Sequence, residues 1–190
     1  ALLADALERR GAKPILADSS LPHAATPVAA GILNPVIGPR SNAPWRAVEC
    51  LDMARETYRR LETHWNVALL REFRMLRVFD DEKMAKKWEQ RRNEDATSSF
   101  LGKTFTSGEM QEMEVHSPFG AGEVLGAGSL DARGLVQASR RHLKNEGRYL
   151  DESIRHDDLL ANRRIIFCEG FRVRDNPWFG TLPFAPVRGE

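Results

Sequence analysis

The chain has 190 residues, 42% apolar and 29% charged, with a formal net charge of +1. That is enough apolar material for one large domain or two small ones, and near-neutrality removes the electrostatic case for nucleic acid or an anionic membrane as the main partner. No apolar run approaches the roughly 18 residues of a membrane helix, and the N-terminus, ALLADALERRG, has its charges after its apolar residues, the reverse of a secretory signal.

Leu2, Leu3, Ala6 and Leu7 share one face of a helix predicted over residues 1–10, with Gly11 as its left-handed stop. Lys13 to Ala17 reads as a short strand that ends at Asp18. Helix, glycine, strand and acid form the second half of a βαβ unit. The first strand and its glycine-rich turn are expected before Ala1. An acid at the end of such a strand is where a dinucleotide fold holds a ribose. It is equally at home as a turn or cap aspartate.

Residues 19–43 read as one long loop containing Pro22, Pro27, Pro35 and Pro39. Loops of this length inside a compact domain are commonly functional, and the small apolar residues argue against disorder. Ala24-Ala25-Thr26, Ala29-Ala30-Gly31 and Asn34-Pro35 would let backbone approach something flat and bulky. The plain alternative is an alanine-rich turn packed on the core.

Trp45, Val48, Leu51, Ala54, Tyr58, Leu61 and Trp65 recur at helical spacing over residues 44–65, with Pro44 in the first turn. Residues 70–79 read as one strand. Asp80 or Asp81 caps a helix through Arg92, with Met84 and Trp88 facing inward. Residues 93–118 are polar and irregular. A glycine-rich stretch, Gly120 to Ser129, leads to Asp131, which caps a helix from Ala132 to about Glu146, closed by Gly147. Its inner face is Leu135, Val136, Ser139 and Leu143. Arg164 to Cys168 reads as a buried strand ending at Glu169-Gly170, and Leu182 to Glu190 as the start of another extended segment. Both ends are expected to fall inside motifs of a longer protein.

Cys50 and Cys168 lie far apart and in no CxxC spacing, so both read as free, buried thiols of a reducing cytoplasm rather than a disulfide. His64, His116, His142 and His156 have no ligand spacing. The basic runs Arg9-Arg10, Lys86-Lys87, Arg91-Arg92 and Arg140-Arg141 alternate with acids and read as solvated helix faces.

Four pieces in this order resemble the D-amino acid oxidase / glycine oxidase superfamily of FAD-dependent oxidoreductases. They are the strand to Asp18 with Ala29-Ala30-Gly31 and Asn34-Pro35, the Gly128-Ser129-Leu130-Asp131 turn into a helix, Ile165 to Gly170, and Leu182-Pro183 through Arg188-Gly189-Glu190. The resemblance implies an α/β fold. A Rossmann-like FAD-binding domain (1–65 and 129–181) would be interleaved with an α+β substrate domain (66–128, resumed at 182–190). The family's GxGxxG and its C-terminal part are absent from the chain.

By that resemblance, Asp18 and Ser19 would hold the adenosine ribose. Ala25, Thr26, Ala29, Ala30, Gly31 and Ile32 would line pyrophosphate and flavin, and Asn34 would reach the flavin edge or cap the turn before Pro35. Glu169, Gly170 and Phe171 would return beneath the cofactor, and Arg40 and Arg188 are candidates for a substrate carboxylate. His23 raises a covalent flavin, but relatives with a histidyl link carry the histidine directly before Ala-Ala-Gly, where this chain has Val28. The implied cofactor is non-covalent FAD, and the implied reaction is oxidation of the C–N bond of a small amine or amino acid. The alternatives are the oxidase domain of a tRNA-uridine-modifying enzyme, an NAD-dependent dehydrogenase, and a non-catalytic relative.

Overall fold

A computed structural model describes residues 1–20, 24–38, 41–158 and 164–185. In chain order it contains α1 (Leu2–Glu8), β1 (Leu16–Ala17), α2 (Ala25–Val28), β2 (Ile32–Leu33), α3 (Ala47–Trp65), β3 (Leu70–Glu72) and β4 (Met75–Val78). It continues with α4 (Glu82–Arg92), β5 (Leu101–Phe105), α5 (Ser107–Glu112), β6 (Ala121–Val124), β7 (Gly128–Leu130), α6 (Ala132–Asn145) and β8 (Tyr149–Leu150). The protein is therefore mixed α/β with small sheets. It divides into a discontinuous unit, Ala1–Ala29 with Val136–Glu190, and a continuous unit, Ala30–Leu135.

The continuous unit holds two antiparallel sheets, ordered β2-β7-β3 and β4-β6-β5. The strand predicted over 70–79 is really two strands in different sheets. Its first part pairs with β7 and its second with β6. The break at Phe73-Arg74 answers the break between β6 and β7, where Gly126 turns at φ +77° and Phe73 N–H donates to the Ala127 carbonyl at 3.3 Å. The two paired strands thus change sheet together, which keeps their backbone groups bonded through the corner.

The core of this unit forms around Trp88, Phe79, Phe100, Leu101 and Val124, with smaller clusters at Leu61, Leu69 and Leu135 and at Phe105, Met110 and Ala121. Each buried Leu, Val, Phe or Met among them contributes roughly 1.5–3 kcal/mol of hydrophobic stabilisation. Helix α4 is capped as expected, Asp81 Oδ1 accepting the Met84 N–H at 2.6 Å. Trp88 is fully buried, and Met84 packs against its cluster.

Helix α3 begins later than its apolar spacing suggests. Arg46 sits in the left-handed region at φ 51°, so the first helical residue is Ala47 and Pro44 lies before the helix. Trp45 and Val48 are exposed, and the inward stripe starts at Ala47 and continues at Leu51. Residues 93–118, read as irregular, contain β5 and α5. Helix α5 opens on a complete capping box: Thr106 accepts the Glu109 N–H, and the Glu109 carboxylate accepts the Thr106 N–H at 2.7 Å.

In the discontinuous unit β1 and β8 pair in parallel, Leu16 opposite Tyr149 and Ala17 opposite Leu150. Gly11 and Gly147, at φ +80° and +66°, follow their helices as expected. Strand β1 is shorter than Lys13–Ala17. Arg164 to Cys168 is not a buried strand: it has no regular structure, and Ile165 and Ile166 are exposed. An apolar run becomes a strand only beside a strand with free ladder groups, and no other described segment pairs with it. Cys50 and Cys168 are both free, but both are exposed, so the expectation of buried thiols is wrong. Cys168 lies on a segment without regular structure, and Cys50 is exposed on α3.

Candidate functional site

Strand β1 delivers Asp18 at its carboxyl end, where Asp18 N–H donates to the Leu150 carbonyl at 3.0 Å. The Asp18 carboxylate is half-buried and heavily engaged. Arg140, on α6, donates to Oδ2 twice, from Nε at 2.8 Å and from Nη2 at 2.6 Å. Ser20 N–H donates to Oδ1 at 2.9 Å, with Ser20 in the left-handed region at φ 51°. The Tyr149 hydroxyl donates to the Asp18 carbonyl at 3.2 Å and lies 3.4 Å from the Ser20 hydroxyl. Asp18 is thus both a turn aspartate and a charged group at the end of a parallel strand. Ser19 is half-buried next to it.

Spacing alone had put Arg140 on a solvated face. It lies four residues beyond Val136, on the flank of the helix face expected to turn inward. That flank position, one helix away from a strand-end acid, was the available signal for the pair.

The long loop expected over 19–43 is broken by α2 and β2. Ala25 and Thr26 begin α2, and they and Ala29 are exposed. In the other unit, Ala30 is exposed and Gly31 leads into β2. Gly31 has φ +67°, and a Cβ there would stand 2.1 Å from the Leu130 carbonyl oxygen. The smallness of Gly31 is used by the β7 backbone, whose Leu130 N–H donates to the Gly31 carbonyl at 2.8 Å. Asn34 Oδ1 accepts the Val36 N–H at 3.0 Å, which makes it a cap of the turn at Pro35.

Gly31, Ile32 and Asn34 nonetheless share a wall. With Trp45, Cys50 and Tyr58 they line an open, mainly apolar pocket of about 440 Å³ within the continuous unit. Burial pushes the Tyr58 hydroxyl above its ordinary pKa, so it is a protonated donor at neutral pH.

Glu169 and Gly170 lie in the discontinuous unit. Glu169 Oε1 is 2.9 Å from His156 Nε2, and Oε2 accepts from Asn176 Nδ2 at 2.7 Å. Asn176 Oδ1 in turn accepts the N–H groups of Trp178 and Phe179. Gly170, at φ +59°, opens a 3-10 turn over Gly170–Asp175, and Phe171 is exposed. Here the carboxylate organises its own loop. His156 and Asn176 escaped sequence reading because neither has a spacing signal. His23, Arg40 and Arg188 lie outside the described residues.

Among the described residues, no three or more His, Cys, Asp and Glu side chains come together as metal ligands, and no helix is long and apolar enough to cross a membrane. No family model and no solved structure matches the chain.

Proposed function

We propose that the protein is an FAD-dependent oxidoreductase of the D-amino acid oxidase / glycine oxidase type, Rossmann-like in its cofactor half and cytoplasmic. Its substrate would be a small amine or amino acid, oxidised at the C–N bond. The observation that carries this is the pocket of about 440 Å³, whose walls include three residues of the resemblance, Gly31, Ile32 and Asn34, beside Trp45 and Tyr58. Its size and apolar lining suit a flat heterocycle. Asp18, separately, follows a strand that pairs in parallel with β8, which supports reading it as a ribose-binding acid.

Within the continuous unit Ala30, Gly31, Ile32 and Asn34 would line the flavin, without a covalent link. In the discontinuous unit Asp18 and Ser19 are the candidates of the resemblance for the ribose, and Ala25, Thr26 and Ala29 for the pyrophosphate. Bound FAD would supply a hydride acceptor for a C–H bond next to nitrogen. Trp45 and Tyr58 would offer aromatic surface beside the heterocycle in the open pocket they line.

The visible spectrum of the purified protein, before and after acid precipitation, tests this. Flavin bands near about 450 nm that pass to the supernatant are expected, followed by bleaching with glycine, sarcosine or a D-amino acid. Protein that is colourless and stays so when FAD is added would overturn the proposal.

A further inference from the structure

We infer that Arg140 is the positioning residue of an adenosine ribose subsite at the end of β1. The inference rests on the dinucleotide reading of Asp18. An ionised carboxylate offers about four acceptor sites, two on each oxygen. Arg140 fills both on Oδ2, and Ser20 N–H fills one on Oδ1. One acceptor site is left, on Oδ1. A ribose diol placed here therefore gives Asp18 one hydroxyl, not two.

The neighbouring hydroxyls of Ser20 and Tyr149 are the groups within reach of the same turn, and Tyr149 ties its backbone down through the Asp18 carbonyl. Both N–H groups of the guanidinium converge on Oδ2 and pin that oxygen, and with the Ser20 N–H on Oδ1 the carboxylate is held at both ends. A lysine offers charge without that control. The pair is half-buried, at 25% and 30% side-chain exposure, so the carboxylate is desolvated enough to be held and open enough to be reached.

The pair reads one hydroxyl, and the test measures that reading directly. ADP, 2′-deoxy-ADP and 3′-deoxy-ADP are used to displace FAD from the purified protein, with flavin fluorescence as the signal. The unsubstituted protein is expected to bind one deoxy probe about tenfold more weakly than ADP and the other nearly as well, since a single hydrogen bond to a charged group is lost. Arg140→Met should shrink that gap to less than about twofold, as should Asp18→Asn, with no further change in the double variant. Arg140→Lys should fall between.

A merely bracing Arg140 would lower the melting temperature in Arg140→Met while leaving the gap intact, and that result overturns the inference. Should Arg140→Met not fold, Tyr149→Phe carries the test: it keeps the ion pair, loosens the turn that presents it, and should narrow the gap. An unchanged gap there also overturns the inference. Flavin binding with no gap in the unsubstituted protein refutes only the role of the pair. No binding of FAD or ADP at all refutes the flavoprotein reading and this inference with it.

Discussion

Gly122 lies directly beneath the indole of Trp88: a Cβ at position 122 would stand 2.1 Å from Trp88 Cε2 and 2.4 Å from Cζ2. Gly122 belongs to strand β6 and needs no special backbone angle, so the glycine is there for space. Trp88 is among the largest fully buried side chains in the core and packs at 5.6 Å from Phe79. Gly122→Ala should therefore destabilise by about 1–3 kcal/mol through overpacking. Urea denaturation checks this, and a variant as stable as the parent would show that Trp88 can move aside.

Glu62 joins helix α3 to strand β3. Its Oε1 accepts the N–H groups of Leu69 and Leu70 at 2.7 and 2.8 Å, and Arg59 donates to Oε2 at 3.0 Å. Burial pushes the carboxyl up, but those two N–H groups and Arg59 outweigh it and hold its pKa below the ordinary value. Glu62→Ala strands two backbone donors and should cost about 1–3 kcal/mol. Glu62→Gln keeps an acceptor and should cost less.

The same depressed carboxyl fixes a pH dependence. A group whose folded pKa lies below its unfolded one contributes stability in full above the unfolded value, about 4.3 for glutamate. That contribution fades as pH falls through the folded value. The stability difference between the parent and Glu62→Gln should be constant near pH 7 and shrink below about pH 4. Denaturation midpoints across that range provide the check, and a difference that grows with acid would contradict the assignment.

Asp18 and Arg140 should also be coupled in the absence of any ligand. Asp18→Asn and Arg140→Met each break a half-buried charged contact. The double variant should be less destabilised than the sum of the two by about 0.5–3 kcal/mol. A denaturant double-mutant cycle measures this, and strict additivity would mean the contact has no energetic weight.

Cys50 and Cys168 are exposed, so both should react with a thiol reagent in the folded protein at rates close to those in denaturant. Thiol counting on native protein reports this. Protection of Cys168 would contradict its exposure, and protection of Cys50 that is lost when flavin is removed would place the flavin in the pocket Cys50 lines.

Helices α3, α4 and α6 were legible because their determinants are local. Apolar residues at helical spacing, Asp81 and Asp131 as caps and Gly147 as a stop act within a few residues of one another. The Thr106–Glu109 capping box is equally local, but α5 has too little apolar periodicity to stand out. Of the candidate site, Gly31, Ile32 and Asn34 carry the resemblance and share a pocket wall, but the carbonyl of Leu130 accounts for the glycine itself.

Pairing between distant segments was not legible. Residues 70–79 look like one strand until β6 and β7 divide them between two sheets, and Arg164–Cys168 looks like a buried strand, yet among the described residues no neighbour offers it a ladder. The partner of Asp18 lies 122 residues away on a helix whose basic run reads as solvent-facing. Periodicity and caps are encoded in neighbouring residues. A ladder, a pocket wall or a charge pair needs two segments brought together, and here only the folded chain decides which segments meet.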